Sequence, residues 1–165
     1  MMHKQEIIYA IAAISLVLIL LVGGAFFVLK WVNPSKYLDK SRDGQRLNDL
    51  AKLQTGLDLY IADGHNFSNL VPGKAYISSE KNSVDGRGWL PLNFQAISSG
   101  APFDELPIDP TNNDVYNYRI GVNVSNKTYE IDCRFENPGF QTKAKNDGGN
   151  DPDWYEIGTD LTILK

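Results

Sequence analysis

The chain has 165 residues, 42% of them hydrophobic and 22% charged, and a formal net charge of −4. A charge this small, with no basic stripe interleaved with aromatics, argues against nucleic acid as a partner. The single cysteine, Cys133, excludes an intrachain disulfide and a CxxC zinc site, and in a strand-like segment it reads as a small buried hydrophobe.

Residues 1–6 are a short flank carrying Lys4 and Glu6. Ile7 to Leu29 then holds no charged residue, and fifteen of its residues are Ile, Leu, Val or Phe. As a helix this run is roughly 35 Å long, enough to cross a hydrocarbon core of about 30 Å. Its aliphatic and Phe residues favour insertion by on the order of 5 to 9 kcal/mol. A cleaved signal has a shorter apolar stretch, about 7–15 residues. Here the run continues through Phe26 to Leu29, past the small residues Gly23-Gly24-Ala25. Residues 7–30 are therefore read as an uncleaved transmembrane helix, entered at Ile7, centred near Leu18 and left at Leu29. Trp31 and Lys30 suit the membrane interface. Lys30, Lys36, Lys40 and Arg42 follow the run and only Lys4 precedes it, so the flanking charges alone place the following domain in the cytoplasm.

Asn33-Pro34-Ser35 reads as a cap and helix start, or as a kink within one long helix. Over 35–62, Leu47, Leu50, Leu53, Leu57, Tyr60 and Ile61 recur at three- and four-residue steps with charges between them. That is an amphipathic helix whose apolar stripe packs on a sheet. Asp43 and Arg46 are spaced to pair at i,i+3 on its exposed face, or to contact a neighbouring subunit in an assembly. Asp63-Gly64-His65-Asn66 stops the helix.

Residues 63–114 read as a variable, outward-facing loop region, of which 63–90 are rich in Gly, Ser, Asn and Asp. Within it, 75–79 is a short extended piece and Trp89-Leu90-Pro91-Leu92 opens a short helical one through Phe94 and Ile97, closed by Ser98-Ser99-Gly100. Leu106-Pro107-Ile108-Asp109-Pro110 is rigid and extended, because each proline keeps its predecessor out of the helical region. Asp109 is expected to accept backbone N–H groups in that turn. Residues 115–165 form an antiparallel sheet of three to four strands: a hairpin of 116–124 and 128–135 about Ser125-Asn126-Lys127, ended by Asn137-Pro138-Gly139, then 154–157 and 161–164 closing the sheet. Between them lies an Asp/Asn loop, 146–153. The expected fold class is α+β, with a long N-terminal helix packed on a C-terminal antiparallel sheet.

Ser41 to Leu50, with Leu53-Gln54-Thr55-Gly56-Leu57-Asp58-Leu59-Tyr60, resembles the exit from the membrane helix in type IV pilins and type II secretion pseudopilins. Leu106-Pro107-Ile108-Asp109-Pro110 with Tyr116-Asn117-Tyr118 is similar to the segment ahead of the sheet in the major pseudopilin. The resemblance covers about residues 7–164. It implies a pilin-like fold, filament assembly with homo- or hetero-oligomeric subunits, and an extracytoplasmic domain on a single-pass membrane anchor, opposite to the placement the flanking charges give. It also places a calcium loop at Asp147, Asn150, Asp151 and Asp153, a set of oxygen donors with Gly148-Gly149 to let the backbone fold round an ion. Members of these families carry a basic leader ending in Gly, then an aromatic residue and a Glu. Here no Gly precedes the apolar run, and Glu6 follows Lys4-Gln5 directly. The expectation is an uncleaved pilin-like membrane protein, or one that enters a filament by another route.

No nucleophile elbow, zinc-protease helix, P-loop or dinucleotide fingerprint occurs. The chain is read as a non-enzymatic, membrane-anchored structural subunit of a type IV pilus or type II secretion-type filament. The alternatives are a monomeric single-pass protein with a surface ligand-binding or envelope-interaction domain, and a cytoplasm-facing adaptor.

Overall fold

A computed structural model describes residues 4–31 and 34–165. The chain divides into two compact units, residues 1–38 and 39–165.

In the first unit, helix α1 spans Lys4–Trp31. Its stretch Lys4–Phe27 is, among the described residues, the one helix long and apolar enough to cross a membrane, and none of it is buried by the rest of the chain. Leu18 is exposed, as are Ile11, Ile14 and Phe26. Ser15 Oγ donates to the Ile11 carbonyl at 2.7 Å, so the one hydroxyl near mid-helix is satisfied within the helix. Ile7 and Leu29 fall within α1, but their side chains lie outside the described ones, and the expected cap Asn33 lies outside the described residues. Helix α2 starts at Pro34, where a missing N–H costs nothing, and runs to Ala62.

From Asp39 onward α2 belongs to the second unit. Leu50, Leu53, Leu57 and Tyr60 are buried, and Leu47 and Ile61 are half-buried against the same core. The apolar stripe read from the sequence is therefore the packing face. The helix ends in a Schellman motif: Gly64 takes φ +90°, its N–H reaches the Ile61 carbonyl at 3.0 Å, and the His65 N–H reaches Tyr60 at 3.2 Å.

Four antiparallel strands, β1 (Tyr76–Ile77), β2 (Tyr118–Asn123), β3 (Thr128–Cys133) and β4 (Tyr155–Gly158), lie in the order β1-β2-β3-β4. The β2–β3 register pairs Tyr118 with Cys133 and Asn123 with Thr128. Asn123 Oδ1 accepts the Ser125 and Asn126 N–H groups at the hairpin turn. The fold is α+β, with helices beside a four-stranded antiparallel sheet, as expected.

Three expectations are corrected. The 63–114 region is not simply outward-facing: Phe67, Leu70, Trp89, Leu90, Leu92 and Phe94 are buried in the core with the α2 stripe. Its lack of periodic apolar spacing hid a role that single large side chains perform. Asn137-Pro138-Gly139 does not merely end the hairpin; it opens helix α3 (Pro138–Ala144), with Asn137 Oδ1 accepting the Gly139 N–H at 2.9 Å and Pro in the first turn. Residues 161–164 form no strand. They are held instead over the β2–β3 hairpin by Glu130, as described below.

Candidate functional site: a buried ion-paired latch and a polar clasp

Two polar clusters stand out in the second unit. The first surrounds Arg46 of α2, whose side chain is fully buried. Its guanidinium grips Asp109 with two hydrogen bonds, Nε to Oδ2 at 2.7 Å and Nη2 to Oδ1 at 2.9 Å. Nη1 reaches Asp43 Oδ1 at 2.7 Å, Nη2 reaches Thr111 Oγ1 at 3.0 Å, and Glu136 Oε1 lies at 2.8 Å. Arg42 adds a second cation on Glu136, with Nε to Oε1 at 2.7 Å. The carboxylates are themselves bound by backbone: Asp43 accepts the Glu136 and Asn137 N–H groups at 3.0 and 2.7 Å, and Asp109 accepts Thr111 and Asn112 at 2.8 and 3.1 Å. Arg46 thus latches three segments together, α2, the Pro107–Pro110 turn and the entry to α3. The Tyr116 ring lies 5.0 Å from its guanidinium carbon.

The electrostatics follow from the pairing. Burial pulls the Arg46 guanidinium toward losing its proton, but the hydrogen bonds and charge of Asp109 outweigh it and raise the pKa. The Arg42 hydrogen bond, with Arg46 behind it, lowers Glu136 to about 2. The expected turn role of Asp109 and the Asp43–Arg46 pairing are both found. Their exposure is not: Arg46 and Asp43 are fully buried, so neither is on the surface for a neighbouring subunit. An i,i+3 acid–base pair on a helix looks the same in sequence whether solvent or a carboxylate 63 residues away faces it.

Two tyrosines of the hairpin also dock α2. Tyr118 Oη donates to Asp49 Oδ2 at 3.0 Å, and Tyr129 Oη donates to Asp58. Burial raises both phenols above the ordinary tyrosine value. Neither partner carried a recognisable signal in the sequence beyond being an acid beside the apolar stripe.

The second cluster lies on the other face of the sheet, where alternation along β3 aims Glu130 and Asp132. Both are fully buried, and Glu156 of β4 is nearly so. Glu130 Oε2 accepts the Ile163 and Leu164 N–H groups at 2.7 and 2.8 Å. The Glu156 carboxylate accepts Asn150 and Asp151 N–H at 2.8 and 2.9 Å. Asp132 Oδ2 accepts from Arg119 Nη2 at 2.7 Å, across the registered pair of β2 and β3. The guanidinium carbons of Arg119 and Arg134 lie 3.4 and 4.5 Å from the Trp154 ring centroid. Burial raises the carboxyl pKa of Asp132, Glu130 and Glu156. Together these groups clasp the C-terminal segment and the 146–153 loop to the sheet.

The expected calcium donors sit in that loop. Asp147 Oδ1 accepts the Gly149 N–H at 2.8 Å and Oδ2 the Glu156 N–H at 2.9 Å. Asp151 Oδ1 accepts the Asp153 N–H at 3.0 Å, and Asn150 Nδ2 donates to the Leu164 carbonyl at 3.1 Å. Calcium needs about six to eight converging oxygens. Among the described residues no group of three or more His, Cys, Asp or Glu gathers that could hold a metal. In this arrangement Asp147 and Asp151 accept N–H groups of the loop and of β4, and Asn150 donates to the chain's C-terminal segment.

Comparison with protein-family models, with curated proteins and with solved structures gave no match.

Proposed function

We propose that this chain is a non-enzymatic, membrane-anchored, pilin-like or pseudopilin-like structural subunit, whose α1 sits in the bilayer and, on assembly, packs against the α1 helices of sister chains. The observation that carries the reading is the contrast between the two helices. From Ile8 to Phe27 the described side chains of α1 carry no charge and none is buried within the chain. The α2 stripe from Leu50 to Tyr60 is fully used in holding the sheet. A helix apolar on every side needs apolar surroundings, either lipid or other such helices, and exchange between the two costs little. The latch supports the same reading, because it ties the first half of α2 to the Pro107–Pro110 turn and the entry to α3 by charged groups that are already satisfied, and so stiffens the head. This reading puts the second unit on the extracytoplasmic side, against the bias of Lys36 and Lys40. Disulfide cross-linking between cysteines placed in α1 tests it: a ladder of oligomers supports a filament, and monomers alone support the single-pass, unassembled alternative.

A further inference from the structure

The clasp face contains an imbalance that its hydrogen bonds leave open. Glu130 Oε1 and Asp132 Oδ1 are both buried without any donor, whereas each partner oxygen is fully engaged. The two carboxyl groups stand two residues apart on one face of β3, and both side chains are fully buried there. Two adjoining buried carboxylates repel, and an unsatisfied acceptor costs on the order of 1–3 kcal/mol. One proton placed between them removes both penalties. The charged groups nearby do not replace it. From β2, Arg119 is committed to Asp132 Oδ2 and lies over Trp154. From the end of β3, Arg134 also lies over Trp154. From β4 and the 146–153 loop come more acids, Glu156, Asp147 and Asp151. From the C-terminal segment, Asp160 turns to Thr162, and Lys165 is exposed at the chain end.

We propose that Glu130 and Asp132 share a single proton at neutral pH as an acid–carboxylate pair, and that release of this proton to solvent loosens the C-terminal clasp, residues 161–165, from the sheet. The coupling is direct, since the Glu130 oxygen opposite the shared proton holds the Ile163 and Leu164 N–H groups. Burial shifts both carboxyls toward holding a proton, and the charge of Glu130 shifts Asp132 further the same way. The sign follows: with the folded-state affinity for the proton raised above that of the unfolded chain, the contribution is fully present below the ordinary carboxylate pKa and is lost as pH rises through the raised value. The proposal does not depend on filament assembly.

The test is amide exchange at Ile163 and Leu164 in the full chain in detergent micelles, expressed as protection factors so that the intrinsic pH dependence divides out. Across the alkaline side of the titration, loss of one proton makes the clasp open up to about tenfold more per pH unit. Glu130→Gln is expected to abolish that slope and stay protected at about pH 9, because its amide oxygen still accepts both N–H groups while its NH₂ donates to Asp132 Oδ1. Asp132→Asn should do the same by donating to Glu130 Oε1. A purely structural role predicts the opposite, weaker protection in both variants at every pH. In the wild type, an infrared carbonyl band of a protonated carboxyl should be present near neutral pH and absent from both variants. Wild-type protection without pH dependence, variants that keep the slope, or no such band at neutral pH overturns the proposal; the band decides the matter if a variant does not fold.

Discussion

Replacing Arg46 by Ala removes the one cation, among the described residues, paired with two deeply buried carboxylates, Asp43 at 0% and Asp109 at 3% exposure. Five polar contacts disappear together: two to Asp109, one each to Asp43 and Thr111, and the ion pair with Glu136. Breaking a buried pair by deleting one partner costs about 3–5 kcal/mol, mostly because the remaining charge is left uncompensated. The backbone N–H groups that also bind Asp43 and Asp109 soften this toward the lower figure. For a cooperative unit of about 130 residues, 1 kcal/mol moves the midpoint by roughly 3–5 °C, so Tm should fall by about 10–15 °C. Arg46→Lys keeps the charge but loses the two-pronged grip on Asp109, and should fall between. The assay is thermal unfolding of the full chain in detergent, followed by near-ultraviolet circular dichroism, with the cycle Arg46→Ala, Asp109→Ala and both. The coupling energy between Arg46 and Asp109 should exceed about 2 kcal/mol. A loss below about 1 kcal/mol in Arg46→Ala, or additive single effects, would refute the reasoning that this cluster latches α2 to the Pro107–Pro110 turn and the entry to α3.

Glu136, lowered from 4.5 to about 2 chiefly by Arg42, contributes stability that is present above pH 4.5 and lost as pH falls through about 2. An acid titration of the unfolding midpoint should therefore steepen in that window, and Glu136→Gln should be less stable at pH 7 and flatter below 4.5; an unchanged profile would remove Glu136 from the latch. Gly121 sits opposite Glu130 in the β2–β3 register, and a Cβ there would stand 2.6 Å from Leu164 Cγ and 2.9 Å from Ile163 Cγ2. Gly121→Ala should displace the C-terminal segment and cost about 1–3 kcal/mol in a denaturant titration, since overpacking a filled site forces side chains off their rotamers.

Regular spacing made much of the architecture readable. The Leu47–Ile61 stripe, the uncharged run before it and the alternating hairpin each repeat at the period of the element they form, and all three appear where their periods place them. What escaped depends on partners far along the chain. Arg46 finds Asp109 and Glu136 only after folding, so its spacing from Asp43 resembles an ordinary solvated pair. Glu130 and Asp132 occupy the polar positions of an alternating strand, which predicts a wet face; the cover comes from Ile163 and Leu164, more than thirty residues later. The helix α3 was within reach, because Asn137 followed by Pro138 is a start signal as well as a stop. The buried aromatics of 63–114 carry no period at all, and only their size marks Phe67, Trp89 and Phe94 as core.

Cross-linking along α1 measures most directly whether this helix exchanges lipid for sister helices. A chain carrying both Ala12→Cys and Leu18→Cys can link to two neighbours, while native Cys133 is buried and stays silent. After mild oxidation of intact cells, separation by size without reductant should show a ladder of dimers, trimers and higher steps that collapses on reduction. Monomers alone, from a chain recovered in the membrane fraction, would contradict a filament subunit and leave a solitary anchored domain.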